Sequence, residues 1–200
     1  MAWFETHRRD RETSVLGMWV FLATEIMLFG GLFTGFAAYW VVYTDTFREL
    51  GRHMLLEVAA ANTAVLMTSS LTMALAVVFG RAGRHRQTSI ALVVTALLGL
   101  AFLGLKSYEW HHEYTHYMLP LSERAFAFSG VPGATVFMSM YLIGTGLHFV
   151  HLTIGVALVG GETVRVARGG WRRSGELVGM YWHLVDVIWM FLFAVFYLVR

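Results

Sequence analysis

Apolar positions along this chain gather into five long blocks, at about 15–43, 58–80, 89–108, 134–160 and 177–199, separated by short segments that carry most of the charge. A block of about 18 or more apolar residues with almost no charge is long enough to cross the roughly 30 Å hydrocarbon core of a bilayer. Lipid offers no partner to backbone amides and carbonyls, so such blocks satisfy themselves as helices. The pattern therefore predicts an all-α integral membrane protein, a bundle of five transmembrane helices. Both prolines, Pro120 and Pro132, fall in the longest hydrophilic connection, about 109–133, and leave every span free of a helix breaker. No low-complexity stretch, Gly/Ser linker or repeat period divides the chain, which reads as one domain over 1–200.

Composition agrees with the pattern. Hydrophobic residues make up 57% of the chain and charged residues 14%, against about 25% charged in a soluble domain. Basic residues in short loops stay on the cytoplasmic side. Arg8, Arg9, Arg11, Arg81, Arg84, Arg86, Arg165, Arg168, Arg172 and Arg173 lie on the N-terminal side of the alternation, and Arg48, Arg52, Lys106, Arg124 and Arg200 on the other, a split of ten to five. That places the N-terminus in the cytoplasm and the C-terminus outside. The pI near 9.1 does not call for a nucleic acid, because the arginines sit at span ends, where anionic lipid headgroups account for them. The basic start followed by an apolar block resembles a signal peptide, yet the block is too long and holds Glu25, so it reads as a retained anchor. With no cysteine, disulfides, iron–sulfur clusters and thiolate metal sites are excluded.

Ionisable groups in the spans cost at least about 2.5 kcal/mol on insertion scales, and each needs a reason. Glu25 lies roughly 15 Å into the first span, either as a protonated carboxyl bonded to a neighbouring helix or in a functional role. His148 and His151 share a face of the fourth span, as packing histidines or as metal ligands. His183 and Asp186, also three apart, can satisfy each other or relay a proton, with Trp182 and Trp189 on a neighbouring stripe. Asn62, Thr63, Thr68, Ser69, Ser70 and Thr72 make the second span polar enough for interhelical hydrogen bonds. Gly31 and Gly35 give a G-x-x-x-G spacing in the first. Glu109 with His112 and Glu113 with His116 repeat the E-x-x-H spacing of di-iron bundles, but both copies lie in one stretch at a span end. No hydrolase, nucleotide-binding or zincin motif occurs, and a stand-alone membrane enzyme or transporter would have to work from these buried Glu and His residues.

Taken together these segments resemble subunit III of the haem–copper respiratory oxidases. The first span carries Trp19, Phe21, Glu25 and Phe29 in the family's spacing; the second reads Ala-Asn-Thr-Ala-Val-Leu-Met-Thr-Ser-Ser over 61–70; the third ends Phe-Leu-Gly-Leu-Lys-Ser-Tyr-Glu-Trp over 102–110. The fourth carries Thr-Gly-Leu-His-Phe-Val-His over 145–151, and the last Tyr-Trp-His-Leu-Val-Asp-Val-Ile-Trp-Met-Phe-Leu-Phe over 181–193. The resemblance implies a non-catalytic subunit with no cofactor or metal of its own. It would dock on oxidase subunit I and other respiratory oxidase subunits, which hold the haem and copper, bind phospholipid, and support proton uptake and the stability of the oxygen-reducing site in a bacterial plasma (inner) membrane. Glu25 would be the family's buried carboxylate, and Asn62, Glu109, His148, His151, Trp182, His183, Asp186 and Trp189 its polar network or its lipid and subunit contacts. Cytochrome c oxidase is the expected complex, with quinol oxidase and the accessory subunit of nitric oxide reductase as alternatives. Two departures stand out. Many members have seven helices with a lipid-filled cleft after the first two, so either another subunit supplies that pair or the cleft is lost. Lys106 also stands where a glutamine is common.

Overall fold

The computed structural model describes the backbone of residues 2–117 and 130–198, and the side chains of residues 13, 15–115 and 130–198. Among the described residues six helices follow one another: α1 (Ala2–Val42), α2 (Thr44–His53), α3 (Leu56–Arg81), α4 (His85–Tyr117), α5 (Ala134–Gly169) and α6 (Arg173–Tyr197). Five of them contain a stretch long and apolar enough to cross a membrane: Val15–Val42, Leu56–Arg81, His85–Thr115, Ala134–Gly169 and Arg173–Tyr197. The sixth, α2, is a short amphipathic helix that turns Phe47 and Leu50 inward and leaves Arg48, Glu49 and Arg52 exposed.

Helices α3 to α6 close a ring in which α3 packs on α4 and α6, and α5 packs on the same two. Helix α1 lies outside the ring against α5 and α6. It buries a single stripe, Leu22, Phe29 and Phe36, spaced seven apart as in a coiled-coil seam. Over the span Val15–Val42 most of the remaining surface is apolar and exposed, with Met27 77% and Val41 78% exposed. Such a face suits lipid or a partner helix but not water. The G-x-x-x-G spacing is not used within the chain: a Cβ on Gly31 would meet nothing within 4 Å, and one on Gly35 only Met140 Cε at 3.5 Å.

Close approach inside the ring is set by other glycines. The indole of Trp182 on α6 lies between Gly99 of α4 and Gly155 of α5. A Cβ on Gly99 would stand 2.7 Å from Val156 Cγ2 and 2.8 Å from Trp182 Cη2, and one on Gly155 3.2 Å from the same indole. Gly99→Ala is therefore expected to lower stability by about 1–3 kcal/mol, the usual cost of overpacking, read as a lower unfolding midpoint in detergent. At the end of α5, Gly170 adopts φ +79°, a conformation that a side chain disfavours, and the chain turns there directly into α6.

Two helices outrun the apolar blocks that predict them. The third span was expected to end near residue 108, and α4 continues to Tyr117; the fourth was expected to end near 160, and α5 continues to Gly169. Glu109, His111 and His112 are consequently helical instead of lying in a hydrophilic loop. Lys106, counted above among external loop charges, is 1% exposed inside the bundle. Residues 106, 109 and 113 fall on one helical face, where Lys106 and Glu109 pair with each other instead of with water. Pro120, Arg124 and Arg200 lie outside the described residues, as do the side chains of Arg8, Arg9, Arg11 and His116.

Candidate functional site

At the end of the ring where α4 and α6 finish, three helices bring five polar side chains together. Lys106 and Glu109, one turn apart on α4, meet at 3.1 Å. The same ammonium lies 3.0 Å from the Tyr141 hydroxyl of α5 and 2.7 Å from the Tyr197 hydroxyl of α6. All three of its hydrogens are thus used. Tyr141 approaches Glu109 at 2.9 Å and Glu113 at 3.1 Å, and Tyr197 donates to Glu109. Every member is 1% exposed or less. Around the cation stand the rings of Tyr141, Tyr197, Trp189 and Trp110, with centroids 4.8, 5.3, 5.4 and 6.0 Å from Nζ. Their negative faces add to the carboxylates in holding the charge.

A second cluster joins α1 to the ring. His151 Nε2 of α5 is 2.9 Å from Glu25 Oε2, while Nδ1 is 2.7 Å from the carbonyl of Leu147. A carbonyl only accepts, so Nδ1 carries a hydrogen. The Glu25 carboxyl and the far nitrogen of the His151 ring thus stand at ion-pair distance between α1 and α5. Tyr181 of α6 donates to the His151 carbonyl at 2.8 Å, tying all three helices together at that point. Toward the opposite end from Lys106, the same three helices frame a groove of about 630 Å³ lined by Met18, Phe21, Ile154, Leu158, Leu177 and Tyr181, with Arg165 at its rim. Arg165 reaches Ser174 at 2.8 Å and pairs with the buried Glu162.

Most of the polar residues of α3 meet α6 and α4, whereas Thr68 is exposed and bonds its own helix at the Ala64 carbonyl. Trp182 Nε1 donates to Ser69 Oγ at 3.2 Å and Trp189 Nε1 to Thr63 Oγ1 at 3.0 Å. Thr72 and Thr95 hydroxyls lie 2.7 Å apart, and Asn62 donates to the Phe102 carbonyl at 3.4 Å. His183 and Asp186, expected to satisfy each other, are 3.8 Å apart, too far for a hydrogen bond. His183 Nδ1 instead lies 2.9 Å from Ser70 Oγ. The two histidines of α5 also part company. His151 turns to α1, whereas His148 is 1% exposed in the ring, between the Phe102 and Trp189 rings at 5.5 and 5.1 Å.

Of the residues singled out in the sequence, Glu109 belongs to the lysine cluster, Glu25 and His151 to the α1 cluster, and Asn62, Trp182, His183 and Trp189 to the α3 seam. Asp186 is buried beside that seam. Sequence reasoning missed Tyr141, Tyr197, Glu113 and Lys106 as partners of Glu109, and Glu162 as a buried acid. The 106, 109, 113 spacing was the available signal for α4; nothing local marks the two tyrosines, which arrive from other helices.

Among the described residues no three His, Cys, Asp or Glu side chains converge as metal ligands. Ring, outer helix and buried clusters define a multi-spanning helical membrane protein whose charged groups are held between spans. Residues 7–199 match the family described as cytochrome c oxidase subunit III. The chain is 33% identical to "Cytochrome c oxidase subunit 3" of Alkalihalophilus pseudofirmus over 195 residues, covering 94% of this chain and 88% of that protein. It is 32% identical to "Quinol oxidase subunit 3" of Bacillus subtilis over 191 residues, 92% and 86% of the two chains. A "Probable quinol oxidase subunit 3" of Staphylococcus epidermidis is 28% identical over 206 residues, 98% and 93%. The chain belongs to the cytochrome c oxidase subunit III family: it is a subunit III of the haem–copper oxidases, a bacterial membrane protein of complexes that contain other oxidase subunits.

Proposed function

We propose that the chain is the non-catalytic subunit III of a bacterial cytochrome c oxidase, a single domain docked on subunit I in the plasma membrane with its N-terminus in the cytoplasm. The observation that carries the docking is α1, which meets the ring along one stripe and leaves an apolar surface for neighbours in the membrane. The haem and copper belong to the partner subunits. The Glu25–His151 pair lies between α1 and the ring and is the group best placed to support proton uptake, because it sets a carboxyl and an imidazole 2.9 Å apart inside a span. His148, Asn62, Trp182, His183, Asp186 and Trp189 hold the ring in register as its polar network, and Glu109 does so through Lys106. The groove between α1, α5 and α6 suits the acyl chains of a phospholipid, with Arg165 toward its headgroup.

The Bacillus subtilis relative carries the quinol oxidase reading at nearly the same identity. The two differ in electron donor, so the purified complex decides between them: oxygen consumption with reduced cytochrome c and none with a quinol is the expected result. Consumption with a quinol alone would assign the complex to the quinol branch.

A further inference from the structure

The lysine cluster can be checked hydrogen by hydrogen. Seven contacts link its members: Lys106 to Glu109, Tyr141 and Tyr197, Tyr141 to Glu109 and to Glu113, Tyr197 to Glu109, and the two phenols to each other at 3.3 Å. Three hydrogens on the ammonium and one on each phenol supply five donors. Five hydrogens cannot serve all of these contacts, and a carboxyl proton is the one further donor the cluster can hold. Charge gives the same answer independently: one cation and two carboxylates would leave a net negative charge in a site where no member is more than 1% exposed, which is costly in the membrane. One added proton cancels that charge and supplies a further donor.

Its location follows from the partners of each acid. Glu109 Oε1 receives Lys106 and Tyr197, as an ionised carboxylate does. Glu113 meets only Tyr141, through Oε1, and lacks the contact with the ammonium that Glu109 has; the Oε2 atoms of both acids are buried with no hydrogen-bond partner. The groups facing it from each packed helix are Lys106 and Glu109 of α4, Tyr141 of α5 and Tyr197 of α6, with His148 about two turns further along α5. We propose that this cluster is a proton-binding site separate from the Glu25–His151 pair, with Glu113 as a neutral carboxylic acid that donates to Tyr141, while Tyr141 donates to Glu109. The bound species is a single proton, and the site does not depend on which donor the oxidase uses.

The test is infrared spectroscopy on the intact oxidase complex carrying wild-type, Glu113→Gln or Glu109→Gln subunit III, with thermal unfolding of each. The wild-type minus Glu113→Gln spectrum is expected to show the loss of one carbonyl band of a protonated carboxyl, shifted in D2O, and no loss of ionised carboxylate. The unfolding midpoint of Glu113→Gln should be unchanged, because the amide donates to Tyr141 where the acid did. Glu109→Gln should lower the midpoint by several degrees, since it removes the counter-ion of Lys106. Loss of an ionised carboxylate band in Glu113→Gln, or a midpoint lowered as far as in Glu109→Gln, would overturn the proposal. So would failure of Glu113→Gln to assemble, because a neutral donor would then be unable to replace the group.

Discussion

Replacing Lys106 with methionine lowers the stability of the subunit by about 3–5 kcal/mol, the usual cost of removing one partner of a buried ion pair. The side chain fits the space and keeps most of the apolar stem, so the loss comes from the charge. Without the ammonium, Glu109 loses a donor at 3.1 Å, and the hydroxyls of Tyr141 and Tyr197 lose donors at 3.0 and 2.7 Å. These links are what hold α4, α5 and α6 together at this end of the ring. The purified Lys106→Met complex should unfold at a clearly lower temperature and lose subunit III first in harsher detergent. Lys106→Arg keeps the charge but not the compact threefold donor geometry, and is expected to recover only part of the loss.

Trp182→Ala is the second large effect, at about 3–5 kcal/mol for truncating a fully buried tryptophan. Its indole fills the space left by Gly99 and Gly155 and donates to Ser69, so truncation opens a cavity among α3, α4, α5 and α6 at once. Trp182→Phe keeps most of the ring and loses chiefly the hydrogen bond, about 1 kcal/mol. Thermal unfolding of the two variants side by side separates packing from polarity: Ala should be several-fold worse than Phe. Equal effects would assign the loss to Ser69 alone.

Sequence reading works where physics is local. Five apolar blocks yield five spanning helices because bilayer thickness fixes their length and lipid leaves the backbone no other option. The polar stripe of α3 is similarly legible, since Thr63, Ser69 and Ser70 have no reason to enter a membrane except to meet another helix. The reading fails where buried charges are satisfied by groups from other helices. Lys106, Glu109 and Glu113 look like the start of a water-exposed loop until Tyr141 and Tyr197 are placed beside them, and α4 was accordingly expected to end too early. His148 and His151 illustrate a related limit. Their spacing puts them on one broad face of α5, but only the position of α1 decides that one meets a carboxylate and the other two aromatic rings. His183 and Asp186 have the spacing of a pair, and Ser70 on another helix intervenes.

The central claim is that this chain works inside a haem–copper oxidase, and the most direct measurement is a mild-detergent affinity purification of the tagged chain from native membranes, read by optical spectrum and mass spectrometry. The account predicts haem absorbance at a fixed stoichiometry and co-purifying oxidase subunits, subunit I among them. A colourless chain recovered alone from membranes that retain active oxidase, or one that carries haem or metal of its own, would contradict it.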